Sequence, residues 1–212
     1  RMRIKKLKNT KIYAAVFTLV CVIVLAVFKK DGFAPFGNLT LASNDAHYQY
    51  IDFFAYFKDV LEGKNNISYC FGKTLGGNDM AVFSYYLASP LNLLLIFFEK
   101  SELHSFFNLS AMIKMGLAAV TCSVWLKQRF PEKLKNLFVI FLSAGYGLSQ
   151  YMLAQSDNIM WLDGAILLPL MLLGVYKLLK QQNMWYLSIF TGLSVLFNWY
   201  TGAINCLFCS GW

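Results

Sequence analysis

MAVFSYYLASPLNLLLIFF, residues 80–98, is the stretch on which the topology turns. It is apolar and 19 residues long, enough to cross a bilayer as a helix. Ser89, Pro90 and Asn92 interrupt it, and Pro90 removes a helix hydrogen bond. The pair Tyr85 and Tyr86 suits the headgroup zone. The reading is two short segments that lie in or dip into one membrane interface; the alternative is a proline-kinked span.

The surrounding charges favour the first reading. Other apolar blocks run over residues 12–28, 106–126, 137–154, 159–179 and 185–209. If 80–98 also crosses, the loop KQRFPEKLK, Lys127 to Lys135, faces outward with Lys177 and Lys180, although short loops rich in lysine and arginine are seldom translocated. If 80–98 does not cross, these six basic residues join Arg1, Arg3, Lys5, Lys6, Lys8 and Lys11 on the cytoplasmic side, giving twelve of nineteen inside. Ten of the eleven acids then face outward, from Asp31, Asp45 and Asp52 to Asp157 and Asp163, with Glu132 within. An outward polar site fits that arrangement.

Composition sets the class. The 212 residues are 58% hydrophobic, 17% aromatic and only 14% charged, against about 25% charged in an ordinary soluble domain. An all-α polytopic transmembrane fold follows. The net charge of +8 does not indicate nucleic acid, because six of the cations cluster ahead of the first apolar run and read as an anchor on anionic lipid. The expected organisation is a basic cytoplasmic tail (1–11), a first transmembrane helix (12–28), a long outer loop (29–103) and four further transmembrane helices (104–212). A signal peptide is the other reading of the first run, but no small-residue cleavage site follows it.

The outer loop is amphipathic. Ser43 or Asn44 can cap a helix whose first turn holds Asp45, and Asp45, Gln49, Asp52 and Tyr56 then form one polar stripe opposite Ile51, Phe54, Ala55 and Val60. This predicts an interfacial helix with its acids turned away from lipid. NNISYCFGKTLGGNDM, with glycines at 72, 76 and 77, reads as a turn-rich loop. Cys21, Cys122, Cys206 and Cys209 fall in or near apolar helices and only Cys70 lies outside, so no disulfide pair is indicated. Walker, dinucleotide, HExxH and GxSxG motifs are absent.

Four segments in order, NDAHYQYIDFFAYFKDVLEGK, LGGNDMAVFSYYLASPLNLLL, IMWLDGAILLPLMLLG and FNWYTG, resemble the amino-terminal part of bacterial YfhO-type membrane proteins, which belong with the GT-C glycosyltransferases. The resemblance implies a multi-spanning enzyme of the bacterial cell membrane. Such an enzyme takes a sugar from a polyprenyl-phosphate carrier and transfers it to an envelope polymer of the teichoic-acid kind on the outer face. It also implies an essential aspartate just after the first span, the place of Asp45. Metal-using members carry acids in the second outer loop, where Asp157 and Asp163 stand. Family members are several times longer, so the chain is expected to be an amino-terminal fragment.

The chemistry asks for the same residue types. Glycosyl transfer with a phosphate leaving group needs a carboxylate beside the attacking hydroxyl, and the positive end of a helix dipole favours the charge of Asp45. The alternative for Asp45 is a capping acid on a wet surface. His47, Gln49 and Tyr50 are candidate substrate contacts, as are Tyr85, Tyr86 and Asn198; the alternatives are surface polarity for His47 and headgroup anchoring for the tyrosines. Lys114, the one charged residue well inside a crossing helix, either reaches a donor phosphate or forms an internal ion pair. Asp163 binds metal, contacts acceptor, or caps its helix. Asp45, Asp157 and Asp163 together would make hard oxygen ligation for Mg or Mn, though no cofactor is demanded. The other functional classes are a lipid-linked precursor transporter or flippase and a non-catalytic assembly scaffold.

Overall fold

The computed structural model describes residues 2–72, 76–131 and 134–212, with side chains from residue 9 onward. Arg1, Glu132, Lys133 and part of the turn-rich loop, 73–75, lie outside the described residues, as do the side chains of Arg3, Lys5, Lys6 and Lys8.

The long helices are α1 (Met2–Asp31), α4 (Leu103–Arg129), α5 (Asn136–Gly147), which runs on into α6 (Gln150–Ala154), and α7 (Leu162–Gln181). Among the described residues four helical stretches are long and apolar enough to cross a membrane: Asn9–Asp31, Lys100–Arg129, Asn136–Ala154 and Ile159–Gln181. The basic segment from Met2 onward is helical and continuous with the first span.

α1 presents Ile12, Val16, Val20, Val24 and Phe28, one residue per turn, to Met112, Met115 and Ala119 of α4. Small residues let the helices approach closely. A Cβ on Gly116 would lie 2.7 Å from the Phe17 ring of α1, and one on Gly147 would lie 2.5 Å from the Met115 carbonyl. α4 is central, packing on α1, α5 and α7. Its most apolar window is 67% buried and that of Ile159–Gln181 56%, against 33% for Asn9–Asp31 and 28% for Asn136–Ala154, so the first pair form the core and the second pair the periphery.

The bundle has two chemically distinct ends. At one, the Arg129 guanidinium lies 4.6 Å over the Tyr176 ring, Lys177 3.6 Å over Tyr186, and Lys127 donates to Asn136. Tyr13, near the start of the first span, is within electrostatic reach of the same Tyr186. The two basic loops and the beginning of α1 therefore share this end. At the other end, the chain leaving α1 is held by Asn108 of α4, whose amide donates to the Ala34 carbonyl at 3.0 Å and accepts from the Leu41 N–H at 2.8 Å.

On that second end lies a cap with its own apolar core of Phe54, Phe57, Leu95, Phe106, Phe107 and Ile159. It contains α2 (Ile51–Leu61), a short antiparallel pair of β1 (Tyr69–Cys70) and β2 (Gly77–Asn78), and the segment 80–98. That segment comprises α3 (Met80–Val82) with its continuation to Leu87, then a 3-10 stretch, Pro90–Phe97, bent by 93° from the first half. Asp79 at its start is tied through its N–H to the Ser68 carbonyl, and Lys100 just after it pairs with Asp59 of α2 at 2.6 Å. Both ends of 80–98 are thus bonded to residues of the cap, at Ser68 and Asp59, with the bend between them, and we call this the dipping segment. Pro90 sits at the turn, where its missing N–H is tolerated.

The last apolar block, expected as one span over 185–209, is two helices, α8 (Trp185–Phe197) and α9 (Trp199–Gly211), reversed at Asn198. Asn205 donates to the Ser194 hydroxyl at 3.2 Å. Residues eleven apart in a straight helix would stand roughly 16 Å apart. The helices fold flat because a Cβ on Gly202 would meet the Ser194 carbonyl at 2.8 Å. The extended backbone of Asn198 and its side chain, which accepts from the Thr201 N–H at 2.8 Å, start α9 afresh.

Candidate functional site

Asp45 closes the link between α1 and the cap. Asn44 before it is left-handed, with φ 47°, and the chain then enters a π-turn, Ala46–Tyr50, ahead of α2. Neither Ser43 nor Asn44 caps through its side chain; the Ser43 and Asn44 carbonyls accept from Ala46, His47 and Tyr48 instead. The wider π-turn breaks the predicted stripe. Ala46, Tyr50, Phe54 and Phe57 turn inward, so Tyr50 is a buried residue rather than a headgroup anchor. Asp45 stays exposed and makes no hydrogen bond or ion pair with a described residue. Asp52 and Tyr56 line a different cavity of about 260 Å³, with Asp79 and Cys70.

Tyr50 is the hub of the site. Its hydroxyl donates to the Asn158 side-chain oxygen at 3.2 Å, and its ring lies 5.1 Å from that of Tyr86. Burial pushes this phenol well above its ordinary range, helped by Tyr86, Asp45, Tyr85 and Asp157 in that order. Asp45 and Asp157, 112 positions apart in sequence, both act electrostatically on this tyrosine, and the Tyr50 bond to Asn158 puts its hydroxyl on the residue next to Asp157. Asp157 accepts from Asn158 at 2.9 Å and from the Ser43 hydroxyl at 3.5 Å, tying the α6–α7 connection to the loop after α1. His47 is exposed and stacks on His104 at 5.4 Å; Gln49 is exposed beside it.

The dipping segment brings in the rest. Tyr85 packs 4.6 Å from Tyr86, its hydroxyl accepts from the Trp161 indole N–H at 3.0 Å, and its carbonyl accepts from Asn198 at 2.8 Å. Asn198 is fully buried and positions Tyr85 and α9; its side chain is committed to protein partners. Tyr85 also contacts Trp199 and Tyr200 at the start of α9, and Tyr200 contacts Trp161.

Lys114 takes the second of its two alternatives, the internal ion pair. Lys114 does not reach toward the surface. Its ammonium lies 2.7 Å from Asp163 and 2.9 Å from the Ile159 carbonyl, with 1% of the side chain exposed. Ser89, at the tip of the dipping segment, donates to the other Asp163 oxygen at 3.0 Å. An apolar interior favours pairing of two opposite charges over exposing either one to a distant ligand. Asp163 is for the same reason withdrawn from any set with Asp45 and Asp157. Among the described residues no group of three or more His, Cys, Asp or Glu side chains could hold a metal ion.

Below the site, a cavity of about 290 Å³ opens between α5, α6, α7 and α9, walled by Tyr146, Met152, Gly164, Leu168 and Ile204, with Thr201 and Asn205 at its polar side. Trp161, Trp199, Tyr200 and Asn158 carry the site without having been singled out in the sequence. The signal was there, in IMWLDG and FNWYTG, but nothing local says that these two motifs touch.

The family model described as bacterial membrane protein YfhO matches residues 15–212. No curated protein and no solved structure matches the chain. With the match covering nearly every residue from the first apolar run onward, and with the multi-pass helical architecture in place, the chain belongs to the YfhO family of bacterial membrane proteins.

Proposed function

We propose that this chain contributes the acidic outer site of a membrane glycosyltransferase, which moves a sugar from a polyprenyl-phosphate carrier to a cell-envelope polymer of the teichoic-acid kind. The observation that carries the reading is the pair of hydrogen bonds, Ser43 to Asp157 and Tyr50 to Asn158, that bring the turn holding Asp45 against residues 157–158 at the end of the bundle opposite the basic loops. By the rule that basic loops stay in the cytoplasm, that end faces outward.

In this reading Asp45 is the base. It is exposed and makes no hydrogen bond or ion pair among the described residues, and it takes the proton of an acceptor hydroxyl as that oxygen attacks the anomeric carbon. The bond from the anomeric carbon to the carrier phosphate breaks, and the phosphate leaves with the electron pair. Asp157, held by Asn158 and Ser43, orients sugar hydroxyls. The apolar cavity beside Gly164 offers room for part of the carrier chain at the depth where a lipid donor would lie. Lys114 and Asp163 act as positioning residues, fixing the dipping segment that presents Tyr85 and Tyr86. If Mg or Mn takes part, Asp45 and Asp157 are the acids placed to receive it.

The test is Asp45→Asn, reconstituted in proteoliposomes with a polyprenyl-phosphate hexose and an envelope-polymer acceptor. Transfer should fall by about a hundredfold or more while insertion and thermal unfolding stay unchanged. Transfer at the parent rate would remove Asp45 from catalysis, and no transfer by the parent protein would leave the scaffold reading ahead.

A further inference from the structure

Among the described residues four buried side-chain atoms have no hydrogen-bond partner: His104 Nδ1, Ser143 Oγ, Trp125 Nε1 and Arg129 Nε. An imidazole nitrogen and a hydroxyl can donate or accept, whereas an indole N–H and a guanidinium only donate. Both obligate donors stand at the basic end, four residues apart on α4 and so on one face of it. A buried donor left unbonded is costly, and two together mark a place that calls for an acceptor.

Their neighbours hold them in place without satisfying them. The Arg129 guanidinium lies 4.9 Å over the Phe130 ring and 4.6 Å over that of Tyr176 on α7, and the Trp125 ring meets Phe130 edge-on at 5.9 Å. Two rings thus fix the planar fork, while its terminal nitrogens keep no hydrogen-bond partner among the described residues. Lys127 adds a second cation on α4, bonded to Asn136 through one of its three N–H groups. Exposed Lys180 adds a third, one turn beyond Tyr176 on the same face of α7. Ion pairs between described residues involve Lys58, Lys64, Lys100 and Lys114, and none lies at this end; Glu132 is outside those residues. Helix dipoles roughly cancel, since α4 and α7 end here while α5 and α8 begin here.

We infer that Arg129, Trp125, Lys127 and Lys180 form a binding site for the headgroup of an anionic phospholipid, of the phosphatidylglycerol kind. The guanidinium fork takes two phosphate oxygens, and the two ammonium groups supply the charge that favours an anionic headgroup over a zwitterionic one. Trp125 stands about 6 Å deeper along the spanning helix than Arg129. The ester carbonyls of a phospholipid likewise lie deeper than its phosphate, and they are acceptors for the indole N–H. A free phosphate can meet Arg129 but not Trp125 as well, so the two depths select the lipid. With Tyr176 against Arg129, the bound headgroup joins the end of α4 to α7. The site is at the opposite end of the bundle from Asp45 and does not depend on the transferase reading.

The test follows thermal unfolding of the protein in dodecyl maltoside micelles titrated with phosphatidylglycerol, with phosphatidylcholine and, separately, with inorganic phosphate and glycerol phosphate. Saturable stabilisation by phosphatidylglycerol is expected, with an apparent affinity several-fold above that for phosphatidylcholine, and none with the free phosphates. That affinity should fall about tenfold or more in Arg129→Gln, and about threefold in Trp125→Phe, which keeps a ring and loses the N–H. Lys30→Gln, which removes one exposed charge from the acidic end, should bind as the parent does. Should Arg129→Gln fail to fold, Trp125→Phe and Lys180→Gln carry the test, each expected to weaken binding. Parent affinity in the basic-end variants overturns the site. An equal loss in Lys30→Gln also overturns it, because net charge would then draw the lipid. Equal stabilisation by inorganic phosphate would make this a site for a soluble anion and overturn the lipid assignment.

Discussion

Lys114 and Asp163 stand 2.7 Å apart, with side chains 1% and 5% exposed, where the first turn of α7 meets the middle of α4. Removing one partner strands the other in a medium that cannot solvate it. Lys114→Met should therefore destabilise the protein by about 3 kcal/mol, whereas Lys114→Met with Asp163→Leu should recover most of that loss. Thermal unfolding of the single and double variants measures both; equal loss in the two would show that the pair is not the cause. Glu62 presents the opposite situation, an exposed carboxylate held to about 2 by the Lys58 hydrogen bond first and the Lys64 hydrogen bond second. Its folded value is depressed, so the stabilisation is complete above the usual carboxylate value of 4.5 and is lost as pH falls toward 2. Being on the surface, it weakens with salt. A carboxyl NMR titration in which Glu62 moves back toward 4.5 in Lys58→Met and in high salt would bear this out. Asp45 belongs to neither kind: it is exposed and lacks a protein partner, which is what a residue awaiting substrate needs.

At the scale of elements, two interrupted stretches do the positioning. The segment 80–98 bends by 93° at Ala88 and Ser89, and its tip is fixed on Asp163, so the buried ion pair is also the floor under Tyr85 and Tyr86. Ser89→Ala leaves one buried Asp163 oxygen without its donor and should cost about 1–3 kcal/mol of stability along with a several-fold loss of transfer, and an unchanged unfolding temperature would show that the bond does not fix the segment. The α8–α9 reversal depends on the bare backbone of Gly202 against Ser194 and Val195, both at 2.8 Å from where a Cβ would stand. Gly202→Leu should spread the two helices. A disulfide between cysteines introduced at Ser194 and Asn205 should form readily in the parent and fail in that variant, and equal cross-linking would refute the close packing. Ser89, Pro90 and Asn92 announced the first interruption in the sequence, because proline cannot complete a helix there. Asn198 gave no such notice, being one polar residue in the run from 185 to 209, where an extended backbone is decided by what α7 and Tyr85 place against it.

For the molecule as a whole, both basic loops and the start of α1 lie at one end, and Asp45 and Asp157 at the other. With the basic end cytoplasmic, a membrane-impermeant thiol reagent on intact cells should label a cysteine at Tyr48 or Asp157 and spare one at Gln128 or Gln181. Labelling of the last two would reverse the orientation and place the site inside the cell. The sequence by itself determined the class and the broad layout: long apolar runs must be helices in lipid, where every backbone group needs an internal partner, and clustered lysines and arginines mark loop ends. It also determined that 80–98 is broken, since Pro90 acts through its own covalent geometry. Only the tertiary structure decided which charged and aromatic groups meet. Lys114 found Asp163 49 positions away, and Ser43 and Tyr50, on either side of Asp45, met Asp157 and Asn158. Tyr85 joined Trp161 to the start of α9. Such meetings depend on how helices turn about their axes and on which small residues allow contact, and neither is encoded in the spacing of any one segment.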